Sequence, residues 1–109
     1  MARDPGLEAI MHEELRDIPD VSEKGMFGCW VWLVGGNLLC GAREDAMLVR
    51  LSKDDDAWAL KMAGVTPMMT GSRRMPGWVW ADPRVYGNDA MRRKLLDAAL
   101  RFVLSLPRK

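Results

Sequence analysis

The 109-residue chain is 49% hydrophobic and 28% charged, the profile of one ordinary globular domain, too short for two and long enough to bury a core without disulfide or zinc staples. Sixteen Lys and Arg against fifteen Asp and Glu leave a formal charge of +1, which disfavours direct binding to nucleic-acid backbones. The longest apolar stretch, Met26 to Gly36, is far shorter than the roughly 18 residues of a membrane span, and the first residues lack an apolar signal region, so a cytoplasmic protein without membrane contact is expected.

Asp4 before Pro5 starts a helix: a carboxylate caps the orphan amides, and Pro sits where its missing N–H costs nothing. Leu7, Ile10, Met11, Leu15 and Ile18 then recur at helical spacing, and Pro19-Asp20 ends the run. From Val21 to Leu51 the pattern becomes short apolar runs broken by Gly25, Gly28, Gly35-Gly36-Asn37 and Glu44-Asp45, which predicts an antiparallel meander of three or four strands. Ser52 and Asp55 have the spacing of a capping box, predicting a short second helix to about Met62. Gly64, Pro67, Gly71 and Pro76 mark a loop region with a short strand near Met68 to Thr70, and a further strand runs from Gly77 to Ala81, closed by Asp82-Pro83. Asn88 caps a last helix whose core face is Met91, Leu95, Ala98, Ala99, Phe102 and Leu106, stopped by Pro107. The order α-β(3 or 4)-α-β(1 or 2)-α predicts a two-layer α+β domain with helices against an antiparallel sheet.

The chemistry-bearing residues are few. His12, the single histidine, falls roughly 140° around the first helix from Leu7, so it is expected to face solvent. With a two-residue turn at Gly35-Gly36, Cys40 is expected opposite Val31, about 8 Å from Cys29 and beyond the roughly 7 Å reach of a disulfide, so both thiols are expected to be free. Two Cys without a nearby His do not make a tetrahedral zinc site, and no phosphate-loop or dinucleotide glycine motif occurs. No catalytic residue, metal or cofactor is expected, and the chain does not read as an enzyme. Arg93, Asp97 and Arg101 have the i, i+4, i+8 spacing of a surface ion-pair ladder, while Arg73-Arg74 falls in the long loop, open to an acidic partner or phosphate.

Five Trp and nine Met make the chain rich in contact groups. Trp30 and Trp32 lie two apart on one strand, and Trp78 and Trp80 on another, so each pair projects from a single face. Both pairs packing under helices is the plain expectation. Cys29, Val31 and Leu33, however, make the opposite face of the first strand apolar as well, so a second surface needs cover, which predicts a homodimer or a protein partner.

Glu23-Lys24-Gly25-Met26-Phe27-Gly28, then Gly36-Asn37-Leu38-Leu39-Cys40-Gly41, Met47-Leu48-Val49-Arg50, Pro67-Met68 and Met75-Pro76-Gly77-Trp78-Val79-Trp80, resemble the N-terminal domain of the TfoX/Sxy competence-regulator family over nearly the whole chain. The resemblance implies a single domain over 1–109 with a secretion-chaperone-like fold and a non-enzymatic, regulatory role. It also implies a protein partner such as a transcription regulator. Full-length members carry a second, C-terminal domain, so a stand-alone module is expected here.

The family-like positions are Lys24, Met26, Phe27, Gly28, Arg50 and Gly77, and with Arg73 and Trp78 they give the candidate binding residues. Arg50 shares a strand with apolar neighbours, so its charge needs a partner, a carboxylate such as Glu23 being the structural choice. The alternative function is a small anionic-ligand site using Lys24, Arg50 and Arg73.

Overall fold

The computed structural model describes residues 4–26 and 28–108. Helix α1 (Pro5–Leu15) opens on the expected cap, the Asp4 carboxylate accepting the Leu7 N–H at 3.1 Å, and buries Leu7, Met11 and Leu15. Four strands follow: β1 (Val21–Met26), β2 (Cys29–Val34), β3 (Asn37–Arg43) and β4 (Ala46–Arg50). Then come α2 (Ala57–Leu60), β5 (Val65–Thr70), β6 (Arg73–Ala81), the single turn α3 (Pro83–Tyr86) and α4 (Asp89–Leu104). The architecture is α+β, with an antiparallel six-stranded sheet in the order β1-β2-β3-β4-β6-β5. Strands β1 and β5 are its edges, and Pro67 lies on β5.

Three elements differ from their sequence signals. Ser52 does not cap α2: the residue before that helix is Asp56, which makes no side-chain cap bond, and Ser52 instead accepts the Asp55 N–H in a preceding turn. Asp82-Pro83 does not simply end a strand but starts α3, Asp82 accepting the Arg84 N–H at 3.0 Å. The β5–β6 hairpin is longer than expected because Pro67 and Gly77 are absorbed as irregularities inside paired strands. Asn88 caps α4 as its position requires, accepting the Met91 N–H at 3.0 Å. That helix ends at Leu104, ahead of Pro107.

The Gly35-Gly36 turn joins β2 to β3, pairing Val34 with Asn37 and Leu33 with Leu38. A bulge then inserts Leu39, so Cys40 lies opposite Trp32, not Val31. A bulge places two residues against one, and Leu39 and Cys40 both join the main core. This core lies under the helices and contains Leu7, Met11, Trp32, Met47, Val49, Val79 and Leu95. Burying each such aliphatic side chain contributes roughly 1.5 to 3 kcal/mol.

Helix α4 is tied to α1 by Arg92, which is buried and bonds Glu14 at 3.3 Å, Asp89 at 2.9 Å and the Tyr86 carbonyl at 2.8 Å. Arg93 also reaches Glu14, at 3.3 Å, and no ion pair links Asp97 to Arg93 or Arg101 among the described residues, so the expected ladder does not form. No described helix is long and apolar enough to cross a membrane.

Candidate functional site

The helices occupy one face of the sheet. On the other face, Cys29, Val31 and Leu33 of β2 and Leu38 of β3 form a second, smaller buried cluster against which Met26, Trp78 and Trp80 pack. Register extends it across β4, where Leu48 lies between Gly41 and Trp80. The two tryptophan pairs therefore take opposite faces: Trp32 is buried under α1 and Trp30 packs beside it, while Trp78 and Trp80 cover the second cluster. The expectation that a broad apolar patch would lie open is corrected here, because these indoles cover the floor themselves. Among the described residues the exposed large hydrophobics are Met69 and Leu104.

What shows on this face is cationic and aromatic. The Arg43 guanidinium lies 3.9 Å from the centre of the Trp80 ring, and that of Arg50 lies 5.2 Å from Trp78 and 5.5 Å from Phe102. Lys24 pairs with Val31 and so shares the face. Following the pleat through the registers as far as the irregularity between Pro67 and Met69, the polar strand residues on this face are Ser22, Lys24, Arg43, Arg50 and Thr66; none is Asp or Glu. Stacking of this kind contributes about 0.5 to 2 kcal/mol per cation and leaves guanidinium edges free to donate.

Arg50 does not meet a carboxylate. Glu23 lies on the helical side, its Oε1 accepting the Trp30 indole N–H at 2.7 Å and lying 2.9 Å from His12 Nε2. Among the described residues no carboxylate stands within ion-pair distance of Arg50, whose Nη1 donates to the Leu38 carbonyl at 3.5 Å. Partial burial pulls its pKa below the usual arginine value. Beside it is a pocket of about 270 Å³ bounded by Ser52, Lys53, Pro76, Trp78 and Phe102.

Gly77 shapes this pocket. Its φ is +88°, and a Cβ there would lie 2.5 Å from the Leu51 carbonyl oxygen and 3.0 Å from the Lys53 nitrogen, so only the absent side chain lets the loop after β4 lie against β6. Asp56 anchors the same junction, accepting the Gly77 N–H at 2.9 Å and pairing with Arg74.

The other candidate residues are dispersed. Lys24 and Arg50 have β2 and β3 between their strands, roughly 14 Å across the sheet at about 4.8 Å per strand. Arg73 is exposed at the tip of the β5–β6 hairpin, opposite Thr70. Met26 closes β1 over the second cluster, Gly28 turns the chain into β2 with φ +73°, and Phe27 lies outside the described residues. One cleft does not hold Lys24, Arg50 and Arg73 together; Lys53 is the second cation at the Arg50 pocket. Sequence reading missed Arg43 and Lys53. Alternation from Gly41 could have placed Arg43, but only the fold brings Lys53 beside Arg50.

His12 is not simply turned to solvent: its ring meets Trp32 edge-on, with centroids 5.5 Å apart and planes at 81°. Neither thiol forms a disulfide. Burial raises the pKa of both, against a partial lowering by Arg43 at Cys29. No group of three or more His, Cys, Asp or Glu among the described residues could hold a metal ion. The family model described as the TfoX N-terminal domain matches residues 13–103. No curated protein and no solved structure matches the chain.

Proposed function

The chain belongs to the TfoX N-terminal domain family, and from that premise we propose that it is a non-enzymatic regulatory module, linked to transcription or competence control, that docks an acidic segment of a partner protein on its second sheet face. One observation carries the reading: Trp78 and Trp80 stand among Lys24, Arg43 and Arg50 on a face whose described strand residues include no carboxylate. Tryptophan and arginine are the residues most enriched at binding hot spots, and strand side chains of one sign favour an oppositely charged partner, with Asp45, Asp54 and Asp82 entering only from the flanking loops. A second copy of the chain is a poorer occupant, because two such faces would set cations against cations. Nucleic acid is poorer too: the net charge is only +1, and a guanidinium already occupies one face of each indole on which a base would stack.

Photo-crosslinking tests this. A photoreactive residue replacing Thr66, which is exposed beside Trp80, is expected to capture a protein through an Asp- or Glu-rich segment, and Arg43→Glu is expected to abolish the capture. One replacing Arg101 on the helical side is expected to capture nothing. Capture from the Arg101 position alone, a segment without acidic residues, or cross-linked nucleic acid would overturn the reading.

A further inference from the structure

The Arg50 pocket carries an inference of its own. A guanidinium has five N–H donors in a planar fork, and at Arg50 the described residues supply one long acceptor, the Leu38 carbonyl at 3.5 Å. Trp78 and Phe102 flank the group and hold it within a partly buried site. A cation taken part-way out of water without a counter-charge is costly, and the cost falls when an anion arrives. Lys53 lines the same pocket and makes no ion pair among the described residues. Asp54, also at the wall, lies beyond ion-pair distance of both cations. Two cations against one carboxylate leave the pocket short of negative charge.

Shape narrows the ligand. At about 270 Å³ the pocket falls just below the roughly 300 to 1,000 Å³ of ordinary small-molecule sites, with room for a short side chain. Its walls are Pro76, Trp78 and Phe102, with Ser52 at one side. A planar carboxylate on a short apolar stem matches both parts, since the fork of an arginine donates to two coplanar oxygens and the walls cover methylenes.

We propose that this pocket is a subsite for one carboxylate, and that it receives an Asp or Glu side chain of the docked segment. The choice of ligand rests on the pocket alone; its source in a partner protein rests on the docking reading above. The pocket is thus the specific contact within a broader face, with Arg43 and Lys24 supplying attraction at longer range.

The purified chain is titrated with glutarate at constant ionic strength, following the Arg50 side-chain and Trp78 indole N–H resonances by NMR. Saturable shifts of both are expected, with a dissociation constant of roughly 1 to 10 mM. Arg50→Lys keeps the charge and removes the fork, and is expected to weaken glutarate by roughly tenfold, whereas Arg16→Gln, at an exposed residue ending α1 on the helical side, leaves it unchanged. If Arg50→Lys fails to keep its unfolding midpoint, Lys53→Gln takes its place, with a weakening of roughly threefold expected. Shifts absent in the wild-type chain, an equal response in Arg50→Lys, or tighter binding of inorganic phosphate than of glutarate would overturn the subsite. Glutarate silent while Arg43→Glu still abolishes partner capture would end the subsite and leave the docking reading intact. Glutarate binding with no capture through Thr66 would do the reverse.

Discussion

At Gly77 a backbone conformation and a close approach coincide, and the two can be separated by comparison. Gly71 also has positive φ, +62°, but a Cβ there meets nothing within 4 Å. Gly77→Ala is expected to cost about 3 kcal/mol by urea denaturation, the sum of left-handed strain and collision with Leu51, while Gly71→Ala costs about 1 kcal/mol. Equal losses would remove close approach as the reason for glycine at 77. Single residues were also where sequence reading was least complete. Arg50 was recognisable as a charge needing a partner, because its strand neighbours are apolar, but two rings and one long carbonyl contact surround it in place of a carboxylate, and Phe102 comes from a helix 52 positions away. His12 was assigned to solvent from its angle on α1, a measure blind to Trp32, which reaches it from another element.

Elements were more legible where their signals are local. Asp4-Pro5 and Asn88 each place an oxygen over a helix's first amides, and both bonds form. Ser52 has a similar spacing without the geometry, since its turn precedes α2. Asn88→Ala is therefore expected to lower stability by about 1 kcal/mol, and Ser52→Ala to change it by less than about 0.5 kcal/mol, both read from denaturant midpoints. A larger loss at Ser52 would restore the capping assignment. The Gly35-Gly36 turn was equally plain, yet the bulge at Leu39 was not, because nothing in Leu38-Leu39-Cys40 distinguishes an inserted residue from an alternating one. That insertion moved Cys40 from beside Val31 to beside Trp32 and so into the main core.

Across the whole molecule, the division of the tryptophan pairs between two faces depends on which side α1 and α4 cover, a non-local outcome that strand alternation leaves open. The α+β class followed from the order of patterns; the cationic side of the sheet emerged only when β6 paired with β4. Global stability should carry a mark of the buried thiols. Cys40 is fully enclosed, and burial holds its pKa well above the ordinary 9.0. The folded chain then keeps a proton that the unfolded chain releases above about pH 9, so this stabilisation is complete below that pH and is lost as pH rises. Each such thiol steepens the loss by about 1.4 kcal/mol per pH unit. Cys40→Ala is expected to flatten the decline in unfolding free energy between about pH 9 and 11 relative to wild type; parallel curves would show that the thiol ionises freely in the folded state.

An open sheet has two unpaired margins, each a template on which a neighbour's strand can grow. In this protein Pro67, which has no N–H to donate, lies on the edge strand β5, and the other edge strand, β1, presents exposed Glu23 and Lys24. Both devices oppose filament growth through backbone pairing. Edge-to-edge pairing of sheets is thereby disfavoured, and what the molecule recruits is left to side chains.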